Sequence, residues 1–204
     1  MNGTIRRRGA LIAALLLISA LVFAACGGSS SDSGGGGGDA ITAAKDDAIA
    51  NSVPDTYKGG ELTVATDATY PPAELFAEDG KTIEGMDIDL GTAIGEVMGV
   101  KWNFVNAGFD TIIPGITAGK YNVGMSAFTD TKEREQVIDF VTYFTAGTSF
   151  MTMVDGGPTI NTIEDVCGLK VAYEKGSTSA EAAIAQGKKC VAAGKQDVTA
   201  IAFP

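Results

Sequence analysis

The sequence predicts an α/β fold of mostly parallel sheets flanked by helices, in two lobes of which the second is incomplete. Three observations carry this. Strand-like and helix-like stretches alternate from Glu61 to Ser126. The same alternation restarts after residue 154. Hydrophobic residues make up 45% of the 204, a share that supports packed cores and argues against wholesale disorder.

Residues 40–58 are mixed and polar, with a weak helical pattern around Ala43 to Ala50; Pro54 and Gly59-Gly60 close them. The folded part is expected to begin at Glu61. Glu61 to Thr66 (ELTVAT) is β-branched and bounded by glycine and aspartate, so it reads as a buried strand. Pro71-Pro72 forces an extended loop. Leu75 to Gly85 reads as a hairpin around Glu78-Asp79-Gly80. From Asp87 to Met98, Ile88, Leu90, Ile94, Val97 and Met98 form a helical stripe, with Asp87 or Asp89 as cap and Gly99 as stop.

Trp102 to Val105 is a second strand, Asp110 to Ala118 a helix ended by Gly119, and Asn122 to Ser126 a third strand. Asp130-Thr131-Lys132-Glu133 has the spacing of a capping box opening a short helix through Gln136. Phe150 to Val154 reads as a strand and Thr162 to Val166 as a helical turn. Leu169 to Tyr173 is a strand, Ser177 to Gln186 a helix and Val198 to Ala202 a final strand. The chain stops at Pro204 with nothing to cover that strand, so it reads as C-terminally truncated.

The start of the chain is an address. Arg6, Arg7 and Arg8 precede an apolar run from Ala10 to Phe23 that is short for a membrane span and typical of an export signal. It ends Phe23-Ala24-Ala25-Cys26, which resembles a bacterial lipobox and implies cleavage before Cys26 and lipidation of its thiol. The alternative is an ordinary signal with an incidental cysteine. The arginines leave general or twin-arginine export open. Gly27 to Gly38 holds seven glycines, four serines and one aspartate, a flexible tether reaching roughly 20 Å. Several acyl chains would anchor it stably.

The net charge is −10, and it becomes −13 when residues 1–25 and their three arginines are removed. Such a balance argues against nucleic acid as a partner. The chain has no histidine, which excludes serine–histidine and cysteine–histidine catalysis and histidine zinc sites. No metal or cofactor is expected. Arg134 is the one arginine outside the signal. With Cys26 lipidated, Cys167 and Cys190 remain as an even pair in an oxidising compartment, either bridged or as buried thiols. The export signal favours the bridge.

Several motifs together are specific: LTVATDATYPP (62–72), GMDIDLGTAI (85–94), FDTIIPGITAGKYNVGMS (109–126), TDTKEREQVIDF (129–140) and GLKVAYEKGSTSAE (168–181). In this order and spacing they resemble the bacterial extracellular solute-binding proteins of family three, receptors that deliver polar amino acids to ABC importers. The resemblance covers nearly all of residues 61–204. It implies a type II periplasmic-binding-protein-like fold. Residues 1–25 are then the lipoprotein signal, 26–58 the lipidated cysteine and tether, 59–148 lobe one and 149–204 a partial lobe two. The partners implied are an amino acid, the ABC permease subunits and, through the lipid, the outer face of a Gram-positive type cell membrane.

A zwitterionic ligand must exchange water for protein partners at its carboxylate, its ammonium and its side chain. Arg134 offers a planar fork for the carboxylate; read alone, it could equally be a surface charge pairing with Asp130 or Glu133. The Gly176-Ser177-Thr178-Ser179 turn opens a helix, whose N–H groups favour an anion or simply a serine cap. The resemblance places Arg134 and Thr178 on the ligand carboxylate. It also assigns the Thr129 hydroxyl and the backbone at Ser126 and Ala127 to the ammonium and carboxylate. Tyr70 and Phe109 match aromatics that cover the ligand side chain, and Asp67 the position that touches it; Asp67 and Glu174 suit a polar or cationic side chain. Ala73 stands where phenylalanine is usual. The resemblance puts the carboxylate for the ammonium past residue 204.

A receptor that binds without catalysis is the leading reading, since no acid–base pair can be assigned. The competing readings are an exported dehydratase on the same scaffold and the sensor domain of a membrane receptor.

Overall fold

The computed structural model describes residues 41–204. The expected export signal, Cys26 and the expected glycine-serine tether lie outside the described residues. The folded part begins earlier than Glu61. Asp46 caps a short helix, α1 (Asp47–Ser52), by accepting from the Ala48 and Ile49 N–H groups. Val53 then packs with Leu62 and Val100 under the first sheet. Composition marked residues 40–58 as lead-in because this one apolar anchor is too local to change their average.

The first sheet has β1 (Glu61–Thr66) at its centre, between β5 (Lys101–Asn106) and β6 (Val123–Gly124), all parallel. β6 is shorter than the stretch predicted from Asn122 to Ser126. A small antiparallel sheet of β2 (Thr69–Tyr70), β3 (Glu74–Phe76) and β4 (Ile83–Glu84) forms the predicted hairpin. Helix α2 (Met86–Met98) joins β4 to β5, and α3 (Phe109–Thr117) joins β5 to β6. The second sheet pairs β7 (Lys170–Glu174) with β8 (Thr199–Phe203) in parallel, across helix α4 (Thr178–Ala192).

Helix α2 departs from its predicted packing. Its buried positions are Asp87, Gly91 and Gly95, four residues apart, while the apolar stripe is only half-buried. A Cβ at Gly91 would strike Phe104, and one at Gly95 would strike Trp102 and the Val100 carbonyl. The glycines therefore let the helix lie close on β5. Neither aspartate caps the helix: the N-cap is Gly85 at φ 130°, with no side-chain cap bond. Gly99, in the left-handed region at φ 67°, ends it as predicted.

Two further expectations fail. The capping box at Asp130–Glu133 does not form; Thr131 instead accepts from the Arg134 N–H, and only a 3₁₀ turn at Arg134–Gln136 follows. The Thr162–Asp165 pair forms that box, at the 3₁₀ turn Ile163–Val166. Phe150 to Val154 is not a strand. Met151 and Val154 are almost fully exposed, and among the described residues no strand lies beside them to take their backbone hydrogen bonds.

Three apolar clusters hold the fold. Ala65, Ala107, Ile112 and Tyr121 pack between the first sheet and α3. Val53, Leu62 and Val100 form the second, and Val166, Cys190 and Val198 the third. Cys167 and Cys190 are bridged, with Cα atoms 5.6 Å apart and a sequence separation of 23. The bridge ties α4 to the 3₁₀ turn that precedes β7. Replacing both cysteines by alanine is expected to lower stability by ~3 kcal/mol, read by urea denaturation. An unchanged midpoint would show that the closed loop adds nothing.

Candidate functional site

The carboxyl ends of parallel strands are where α/β sheets collect ligand groups. Here Asp67 follows β1, Phe109 follows β5, Ser126 and Ala127 follow β6, and Gly176 to Thr178 follow β7. Arg134 joins both sheets. Its guanidinium donates to the Thr129 carbonyl at 2.6 Å and to the Gly176 carbonyl at 2.9 Å. The Thr129 and Thr178 hydroxyls lie 3.3 Å apart across the same gap. Lys175 pairs with Asp110 at 2.5 Å nearby.

Arg134 also lies over an aromatic floor. Phe109 and Phe128 stack with ring centroids 4.2 Å apart, and the guanidinium carbon is 5.8 Å and 5.3 Å from their centroids. Phe128 was not singled out from sequence; an aromatic three residues before the Thr131–Lys132 polar run carried no periodic signal. Burial lowers the Arg134 pKa, partly offset by Glu181. The surface pairing with Asp130 or Glu133 is not found: no described salt bridge involves Arg134. Among the described residues Arg134 thus presents to the gap between the sheets a cation that forms no ion pair, with Glu181 acting on it from farther away.

The remaining residues divide into exposed and occupied. Tyr70 is 56% exposed. Thr129 is exposed and Thr178 half-buried. Asp67 is 4% exposed, and both its oxygens accept bonds within the chain: Oδ1 from the Thr69 hydroxyl at 2.8 Å, Oδ2 from the Phe109 N–H at 2.7 Å. It caps α3 from another element, since Gly108 has no side chain to do so. Ser126 is buried; its hydroxyl donates to Glu74 and accepts from the Asp67 N–H. The Ala127 N–H is shared between Asp87 and Tyr143. Ser177 caps α4, accepting from the Ala180 N–H and donating to the Glu174 carbonyl. Burial, and then Asp67, raise the Glu174 carboxyl above its ordinary value. Ala73 is buried, with its N–H donating to the Tyr70 carbonyl at 3.0 Å and its own carbonyl facing Gly85.

A cavity of about 900 Å³ beside β6 is lined by Trp102, Ile116, Phe128, the 137–146 segment and three of the candidate residues, Ser126, Ala127 and Thr129. Arg134, Tyr70 and Thr178 are not among its walls, so it meets the gap between the sheets along Ser126, Ala127, Phe128 and Thr129 only.

Parallel sheets with helical crossovers, and polar groups gathered at their carboxyl ends, define a type II periplasmic-binding-protein-like fold. The chain belongs to the bacterial extracellular solute-binding proteins, family 3, whose profile matches residues 62–200. It is 33% identical over 146 residues to an arginine-binding protein of Corynebacterium glutamicum, covering 71% of this chain and 47% of that one. Among solved structures, an ancestral arginine-binding protein bound to arginine superposes with a TM-score of 0.63 at 38% identity, over 71% of this chain and 61% of that one. An ancestral arginine-binding protein bound to glutamine gives 0.60 at 39% identity, over 71% and 60%. The chain spans about half the length of the curated relatives it matches. Among the described residues no helix is long and apolar enough to cross a membrane.

Proposed function

We propose that this chain is the ligand-binding part of an exported, lipid-anchored receptor that holds an amino acid between two lobes and delivers it to an ABC importer. Lobe one is residues 59–148 and lobe two residues 149–204, with Cys26 carrying the lipid. The carrying observation is Arg134: a cation on an aromatic floor, braced by carbonyls from both sheets and lacking an acidic partner. A ligand carboxylate supplies the missing charge, gripped by the guanidinium and by the Thr178 hydroxyl and N–H at the start of α4. Thr129, with the backbone at Ser126 and Ala127, lines the ammonium side; Tyr70 and Phe109 enclose the side chain. Ser177 acts through its cap, and Asp67 as a buried charge behind Phe109.

Arginine is the ligand we favour. Glu174 is half-buried; burial first, and then Asp67, raise its carboxyl, and no described salt bridge brings a cation to it. A guanidinium side chain would provide one. The similar proteins named above that bind arginine agree with this. Receptor function without catalysis accords with the same relatives being named as binding proteins.

A thermal-shift screen of the full-length protein against all amino acids tests the reading. Arginine at one hundred times its dissociation constant should add ~2.7 kcal/mol of stability. If no amino acid raises the melting temperature, the receptor reading is rejected.

A further inference from the structure

Glu74, in β3, and Asp87, in the first turn of α2, were no part of the sequence-predicted site. Both are buried, 1% and 0% exposed. Each uses one carboxyl oxygen. Glu74 Oε1 accepts from the Ser126 hydroxyl at 2.6 Å. Asp87 Oδ2 accepts from the Ala127 N–H at 3.2 Å and from the Tyr143 hydroxyl at 2.7 Å. Each leaves a buried oxygen with no donor, Glu74 Oε2 and Asp87 Oδ1. The two carboxyls hold consecutive residues, Ser126 and Ala127, and the Asp87 carboxyl acts directly on Glu74.

The titratable groups facing the pair are Asp67, after β1, and Tyr143, from the 137–146 segment. Neither can supply positive charge, and no described salt bridge reaches Glu74 or Asp87. Two adjacent buried carboxylates cannot both ionise cheaply. One proton between them converts two orphaned acceptors into a hydrogen bond.

We propose that Glu74 and Asp87 share one proton at neutral pH, and that the protonated pair is a positioning device for the Ser126–Ala127 ledge of the amino-acid site. The ledge needs positioning. Ala127 sits at φ 47°, a conformation that persists only when its surroundings fix it. Ser126 and Ala127 are held by Glu74 and Asp87 respectively, one bond each, so the spacing of the two carboxyls sets the ledge. The positioning half of the proposal rests on the receptor reading; the shared proton does not.

Burial pushes the Glu74 carboxyl up to about 8, with the Ser126 bond opposing and Asp87 adding to the rise. The folded chain therefore holds a proton that the unfolded chain releases near the ordinary value of 4.5. Stability is greatest below that value, falls as pH rises toward 8, and levels off above it.

The test uses the full-length protein and its Glu74→Gln variant, whose amide can donate to Asp87 as the shared proton does. Melting temperature is followed from pH 6 to 9.5, and L-arginine affinity is measured at pH 6.5 and 8.5. In the parent, melting temperature should fall up to about pH 8, and affinity should drop about four-fold if only the protonated form binds. Both dependences should flatten in the variant. Parallel melting curves for the two proteins overturn the shared proton. A flattened melting curve with arginine affinity equal at both pH values overturns the positioning role. Binding of no amino acid at either pH removes the receptor reading and the positioning role with it, while the melting curves still decide the proton. Should Glu74→Gln not fold, carboxyl NMR of glutamate-labelled parent protein decides the same point. One glutamate titrating above pH 7 supports the pair, and none doing so overturns it.

Discussion

Arg134→Ala should weaken amino-acid binding by between about 30-fold and several thousand-fold while leaving the unliganded protein folded. The range follows from losing one partner of a desolvated charge pair, ~2–5 kcal/mol. The ligand carboxylate would enter the gap and find no cation there, since Lys175 is already paired with Asp110. The fold should tolerate the change. Arg134 donates to two carbonyls that solvent can reach, and losing such bonds costs about 1 kcal/mol each at most. Arg134→Lys should fall between, because an ammonium keeps the charge and loses the fork. Calorimetric titration with arginine, alongside the circular dichroism of each variant, checks all three statements. Unchanged affinity in Arg134→Ala would make this residue a brace between two loops and nothing more.

Gly85→Ala is expected to cost about 3 kcal/mol or more of stability. Gly85 sits at φ 130°, a region essentially reserved for glycine. A Cβ there would overlap the Ala73 carbonyl and press on that of Pro72. Both are backbone atoms that cannot swing aside, and both are engaged: Pro72 accepts from the Met86 N–H, and Ala73 from the Asp87 N–H. The first turn of α2 would have to lift away, taking Asp87 out of its buried position. Equilibrium denaturation measures the loss. A midpoint close to the parent's would mean the turn relaxes without cost. Gly80→Ala makes a useful control: it is also left-handed, at φ 65°, but has open space around it, so it should lose far less.

Much of the architecture was legible in the sequence because it is written locally. The β-branched run at Glu61–Thr66, the turn at Glu78–Gly80, the Gly99 stop and the Ser177 cap each involve neighbours a few residues apart. The Cys167–Cys190 bridge was readable from the export signal and an even count. What was missed depends on distant partners. Gly91 and Gly95 look like weak points in a helix until Trp102 and Phe104 arrive against them. The stretch Phe150–Val154 has a strand's composition, but a strand also needs an edge to pair with. Asp87 reads as a surface cap by its position, and only the fold shows it buried against Glu74 and Ala127. Of the residues named from sequence, Arg134 and Thr178 both lie at the gap between the sheets, whereas Asp67 and Ser126 carry bonds inside the chain that no spacing rule announces.

None of the three apolar clusters spans the two sheets. The links across the gap are Arg134 to Gly176, Thr129 to Thr178 and Lys175 to Asp110. Such links behave as a latch rather than a glue. A methyl-lined contact resists separation over its whole area, but a hydrogen bond stretched past its reach gives way at once and water replaces it. Parting the halves therefore exposes little oily surface and carries little heat-capacity change. Salt in the surroundings loosens the lysine clasp further. On the receptor reading proposed above, opening the lobes would break these contacts and leave each of the three apolar clusters intact.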